Sequence, residues 1–331
     1  MSLAEVLLAI MWVGVTMYAI FAGADFGAGA WDLLAGGPEE GAARRERIEH
    51  SIGPVWEANH VWLIFVLVIL WSGYPTAFAA VASTLYLPLT AVAIGIILRG
   101  SAFVFRKQFQ GVPARRGLGA AFAASSVITP FFLGAIAGAV ASGRIDPSGE
   151  IDVLGAWTGA TSLYGGVLAV LVCANLAAVF LTADAHRAEE ADLVEWFRVR
   201  ALISGALTGL TTFAGVAVLH ADARHLFDNL TDRGLPLMVL SAVAGVGSLV
   251  LLGVRRYRLA RVAAVTAVAA VVWGWAAGQY PEVLVDHLTI DEAAGAPATL
   301  QAMVWSLGVG ALLFAPPLAW LLRSAAKGDL E

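Results

Sequence analysis

Residues 52–71 read IGPVWEANHVWLIFVLVILW, and this stretch decides the fold. From Val61 onward it is an unbroken run of aliphatic and aromatic side chains. With the residues before it, the run has the length a bilayer asks of a helix, about 20 residues. Yet its first half carries Trp56, Glu57, Asn59 and His60. A charged group at the centre of a spanning helix costs about 2.5–3.5 kcal/mol on insertion scales, so such groups pair with something or act on something.

The rest of the chain has the same character. Of 331 residues, 59% are hydrophobic and 14% charged, and the mean hydropathy is +0.79. Soluble domains average about 45–50% apolar and about 25% charged. The composition therefore predicts an all-α integral membrane protein. The single cysteine, Cys173, excludes an intrachain disulfide and a cysteine-based metal site. No basic stripe with interleaved aromatics points to nucleic acid. Walker, dinucleotide-binding and HExxH motifs are also absent from the sequence.

Nine apolar runs are long enough to span, at about 5–35, 51–71, 76–98, 117–142, 160–185, 198–219, 234–253, 260–277 and 299–322. They are too long and too uniformly apolar for barrel strands. Residues 1–331 read as one polytopic domain, its first helix retained rather than cleaved as a signal peptide, with no soluble domain left over. Seventeen of the 20 Lys and Arg fall after odd-numbered runs or in the C-terminal tail, and only Arg144, Arg224 and Arg233 lie on the other side. The positive-inside rule then puts the N-terminus outside and the C-terminus in the cytoplasm.

Polar groups inside these runs are the candidate functional residues. In GADFGAG, residues 23–29, Gly23 and Gly27 share a helix face that lets another backbone approach. Asp25 between them caps or bends the helix, pairs with an Arg of a neighbouring helix, or carries protons. Asp32 is expected to be solvated near the cytoplasmic end. Glu57 and His60, three apart, share a face, as do Trp56 and Asn59. His60 could serve as a proton relay, a structural donor or a haem ligand. Arg99 ends the third run; it snorkels to headgroups or pairs with Asp25 or Glu57. HADARH, residues 220–225, gathers His220, Asp222 and His225, read as a solvated loop rather than a metal site. Pro130 predicts a kink, Asn175 an interhelical hydrogen bond, and Trp71 and Trp157 interface anchors.

In this order, these residues resemble subunit II of cytochrome bd-type quinol oxidases. The resemblance rests on GADFGAG, on RRERIEHSIGPVWEANHVWL (44–63), on LRGSAFVFR (98–106), on SSVITPFFLGAIAGAV (125–140) and on YPEVLVDHLTI (280–290). It implies two four-helix bundles plus a ninth helix. The implied job is that of a haem-free partner to a subunit I carrying haem b and haem d, in an electrogenic complex of the cell membrane (the bacterial or archaeal cytoplasmic membrane). That complex oxidises quinol and reduces O₂ to water, and this chain alone would be inactive. Further implied associates are a small third subunit and a structural quinone. The resemblance marks Asp25, Trp56, Glu57, Asn59 and Arg99 as proton-access or interface residues, with Glu57 a buried carboxylate on or beside a proton route.

The chain departs from the family pattern in four places. An acid usual before Asp25 is replaced by Phe21 and Ala22, the Asp-Gly pair of the second motif by Glu57 and Ala58, the residue at position 60 by His, and an acid after the third helix by Val104, between Phe103 and Phe105. Two rival readings use the same residues: a proton or ion transporter, which would show matching broken helices in two halves, and a membrane anchor for a different redox partner.

Overall fold

The structure is a computed structural model and describes residues 1–37, 39–52, 56–108, 112–148 and 152–327; the side chains of 56–58, 106–108, 112–116, 314–315 and 318–327 also lie outside the description. The helices are α1 Leu3–Leu33, α2 Ala42–Ile52, α3 Trp56–Gly73, α4 Pro75–Thr84, α5 Tyr86–Gln108, α6 Val112–Ala141, α7 Gly155–Thr158 and α8 Ala160–Arg187. They continue with α9 Ala191–Asp222, α10 Arg224–Thr231, α11 Leu235–Gly253 and α12 Tyr257–Gln279. A small antiparallel hairpin of β1 Glu282–Leu284 and β2 Leu288–Thr289 follows, then α13 Ile290–Ala293 and α14 Pro297–Lys327.

Among the described residues, seven helices are long and apolar enough to cross a bilayer: α1, α5, α6, α8, α9, α11 and α12. Large apolar side chains face outward, such as Phe213 and Leu312, whereas Asp25, Arg99, Ser126 and Thr182 are buried. That inversion is what lipid as solvent dictates. Apolar side chains cost nothing against hydrocarbon, and polar ones must find partners inside.

The third run is placed differently from its sequence limits of 76–98. Its first part forms α4, bent 118° from α3, and the long helix starts only at Tyr86. Gly73 and Pro75 bracket the first break, with Pro75 opening α4. Pro88 explains the second. Having no N–H, it could not bond the carbonyl of Thr84 in a continuous helix, but it is tolerated in the first turn of a new one. Tyr74, at the bend, is fully buried, and its hydroxyl donates to the carbonyl of Ala4.

The helix α2 was not expected. Its residues, AARRERIEHSI, are mostly polar, but Ile48 and Ile52, four apart, are buried in the cluster formed with α8 and α9. Its arginines also finish α1. Arg44 donates to the carbonyl of Ala35 at 2.7 Å, and Arg45 to those of Gly36 and Gly37. These carbonyls lie in the turn just past the end of α1, where cations are favoured by the helix dipole. Arg47 forms a two-pronged ion pair with Glu190, just before α9. This pair holds the Glu190 carboxyl below the ordinary glutamate value.

The helix α1 is apolar on all sides and runs through three buried clusters. Leu7, Leu8, Met11 and Trp12 pack with Tyr74, Leu85, Ile145 and the hairpin at its N-terminal end. Ala28 and Trp31 pack with α2, α8 and α9 at its C-terminal end. Between them, Ala22, Phe26 and Cys173 form a small cluster with Tyr18, Ile96 and Leu133 beside it. The candidate site lies at this middle level.

Candidate functional site

The site is built on the glycine-rich centre of α1. Added Cβ atoms would strike the backbone carbonyl of Cys173 at Gly27, and Ser126 and Arg99 at Gly29. Small residues here bring α8 and α6 against one segment of α1, and α5, packed on α6, reaches it through the Arg99 side chain.

Arg99, near the middle of α5, is the hub. It is 2% exposed, so the headgroup-snorkelling alternative is overturned and pairing with Asp25 is what the structure shows. Its Nη2 donates to Asp25 Oδ1 at 2.7 Å and to the Asp25 backbone carbonyl at 2.8 Å. Its Nη1 donates to Ser126 Oγ, and that hydroxyl in turn donates to the carbonyl of Phe122 at 2.6 Å. The guanidinium lies over the ring of Phe122, 4.4 Å from its centroid, and 5.2 Å from that of Phe26. A planar cation with several donors suits this role, because it can satisfy a carboxylate, a carbonyl and a hydroxyl together. Two charges withdrawn from water cost several kcal/mol each, which only such close geometry offsets.

Asp25 is 3% exposed. Its second oxygen, Oδ2, is buried and has no hydrogen-bond partner among the described residues. The same holds for Tyr18 Oη and His60 Nδ1. The His60 ring stands 6.2 Å from that of Tyr18 and 6.0 Å from that of Phe26. Asn59 is buried and reaches the carbonyl of Phe21 at 3.4 Å. The structure therefore brings together Asp25, Arg99, Asn59 and His60. The side chains of Trp56 and Glu57, and with them the Glu57–His60 pairing, lie outside the described residues.

Other expectations are corrected. Asp32 is not solvated. It is buried, with Arg45 Nε 3.7 Å away, because α2 covers the end of α1. His220, Asp222 and His225 do not form one cluster. His220 lies against Arg224 and Phe227, Asp222 pairs with Arg144 and accepts from Thr161, and His225 faces Glu282 and Asp286. Asn175 Oδ1 is buried against Gly205 without a hydrogen-bond partner among the described residues. Trp71 is 65% exposed, whereas Trp157 packs edge-on against Phe132. Pro130 sits inside α6, which continues past it. Val104 is exposed.

Sequence reading did not single out Tyr18, Phe26, Phe122 or Ser126. A signal existed for Tyr18, which lies seven residues before Asp25 and so on the same face of α1. For Ser126, only the fold brings α6 against α5.

Three comparisons bear on this arrangement. Residues 3–325 match the family model of cytochrome bd terminal oxidase subunit II. Cytochrome bd ubiquinol oxidase subunit 2 of Bacillus subtilis (strain 168) is 28% identical over 54% of this chain and 51% of that protein. A putative cytochrome bd menaquinol oxidase subunit II of the same organism is 25% identical over 69% of this chain and 66% of that protein. These alignments span about half to two thirds of the relatives' own lengths. The structure of bd oxidase from Geobacillus thermodenitrificans contains a chain with the same fold, at a TM-score of 0.74 and 24% identity, covering 98% of both chains. A match of the family model over nearly the whole length is decisive: this multi-pass membrane protein belongs to the cytochrome bd terminal oxidase subunit II family.

Proposed function

We propose that the chain is the haem-free subunit II of a quinol:O₂ oxidoreductase in a cytoplasmic membrane. Its partner would be a subunit I carrying haem b and haem d, with quinol as the substrate of the complex. Subunit II would brace that partner and contribute to proton access from the cytoplasm. The observation that carries the reading is the buried Asp25–Arg99–Ser126 constellation, built on the family's own motifs in the middle of the bundle. The packing of His60 supports a haem-free chain. Its Nδ1 is buried on a ring 6.2 and 6.0 Å from those of Tyr18 and Phe26, where it serves as a hydrogen-bonding group of the bundle interior.

Nine spans, N-terminus outside, remain our reading of the topology. The two beyond the seven are α3 and α14, each at least 18 residues long. The transporter reading would ask for matching breaks in two halves. Among the described residues one sharply bent pair is found, α3 with α4.

For the proton route we place Asp25 and Arg99 as its fixed electrostatic anchor. Tyr18 Oη, Asp25 Oδ2 and His60 Nδ1 are buried polar atoms of the kind that hold internal water, and Trp56, Glu57 and Asn59 belong to the same helix as His60. Rapid reduction of O₂ requires proton delivery that dry hydrocarbon does not provide. The test is quinol-dependent O₂ consumption by membranes of a strain lacking this gene. Wild-type chain should restore it, Glu57→Asp should largely restore it, and Glu57→Ala should restore assembly with a clearly lower rate. Full turnover in an assembled Glu57→Ala complex would remove Glu57 from the route. Unchanged quinol oxidation without the gene, where no second oxidase is present, would remove the function.

A further inference from the structure

We propose that His225, Glu282 and Asp286 form a binding site for one divalent transition-metal ion of the zinc and manganese class. The three residues lie at the end of the bundle that holds the N-terminus, where Tyr280 donates to Glu5 at 2.7 Å. They come from two separate segments. His225 is in the first turn of α10, Glu282 opens β1, and Asp286 sits in the hairpin turn. One ligand atom from each lies within 4.8 Å of the others.

The distances are at the long limit of direct bonding and leave room for an ion. His225 Nε2 is 3.5 Å from Glu282 Oε2, and Nδ1 is 3.4 Å from Asp286 Oδ1. Nε2 is buried without a hydrogen-bond partner among the described residues. An ion about 2.0–2.2 Å from its nitrogen and oxygen ligands sets neighbouring ligand atoms about 3.4 Å apart in a tetrahedron. The acids approach opposite ring nitrogens, so one nitrogen would bind and the farther carboxylate would swing in by a side-chain rotation. Asp286, 66% exposed, has that freedom.

Charge points the same way. Two carboxylates flank one imidazole, and among the described residues no Lys or Arg pairs with either acid. The arginines nearest in sequence are engaged elsewhere, Arg224 of α10 with Asp228, Arg144 with Asp222, and Arg233 over the ring of Tyr280. The site is also braced. The Asp286 N–H donates to Glu282 Oε2 at 2.9 Å, fixing that carboxylate. His287 holds the turn through the carbonyl of Gly143 at 3.1 Å, with Asp146 3.8 Å from its other nitrogen. One imidazole with two carboxylates is a mixed nitrogen and oxygen set, which favours zinc or manganese over calcium or magnesium. Bound there, the ion would fasten the connection between α12 and α14 to α10.

The test uses the full chain in detergent on a histidine-free tag, stripped with chelator and titrated with Co²⁺ and then Zn²⁺. The wild type should bind one Co²⁺ saturably, with visible absorption that Zn²⁺ abolishes. His225→Gln, Glu282→Gln and Asp286→Asn should each weaken binding at least tenfold, while Asp228→Asn, outside the cluster, should not. Asn tolerates the left-handed backbone of position 286, where φ is 62°, so Asp286→Asn keeps the turn, and its unfolding midpoint without metal should equal that of wild type. No saturable binding by wild type, or unchanged binding in all three variants, would overturn the proposal.

Discussion

Asp25 and Arg99 stabilise the molecule only as a pair. Removing one partner of a buried ion pair leaves the other charged and unsatisfied, at a cost of about 3–5 kcal/mol, whereas replacing both is often near neutral. Arg99→Gln should therefore lower the thermal unfolding midpoint and yield of the chain sharply, and Asp25→Asn with Arg99→Gln should recover most of the loss. A double variant no better than the single one would show that Arg99 works through Ser126 and the rings instead. The glycines beneath the pair allow a second check. Gly27→Ala sets a Cβ against the carbonyl of Cys173 and should cost about 1–3 kcal/mol, as overpacking does. Gly245→Ala on α11 meets open space and should be neutral or gain up to about 1 kcal/mol from helix propensity. At this scale the sequence was partly legible. It offered pairing as one option for Asp25 and for Arg99, because charges in an apolar run need partners, but Ser126 and Phe122 come from a helix whose position only packing decides.

At the scale of elements, the arginines of residues 44–47 do two jobs. Sequence alone reads them as topological markers, and the structure also has them hold the turn after α1 and tie α2 to Glu190. The tie has a pH dependence of known sign. Glu190 is held below its ordinary value of 4.5 by its hydrogen bonds to Arg47. Its contribution is present above that value and is lost as pH falls through the lowered one. Hydrogen exchange of α2 should stay flat from neutral pH down to about 4.5, after correction for intrinsic rates, and rise only below it. Glu190→Gln should remove that acid step and raise exchange at neutral pH. The existence of α2, the bend between α3 and α4 and the restart at Tyr86 were not legible as such. Only two large apolar residues mark α2, and a continuous apolar run hid the effect of Pro88.

At the scale of the whole molecule, composition and the spacing of apolar runs were enough for an all-helical membrane protein, since lipid imposes its length on every span. What they could not supply was contact across long separations. His225 meets Glu282 and Asp286 although nearly 60 residues intervene, and nothing local marks those partners. We read the topology from the basic loops. Accessibility labelling of single cysteines placed at Gly37 and Asp146, in a Cys173→Ala background, should find them on opposite sides of the membrane, with Gly37 cytoplasmic. The central claim, that this chain is one half of a haem-bearing oxidase, is tested most directly by purifying it in mild detergent through a tag on its own C-terminus. The reduced-minus-oxidised spectrum is then recorded. Haem b and haem d bands with a second co-purifying membrane subunit are the predicted result. An intact, colourless complex with a different partner would contradict it.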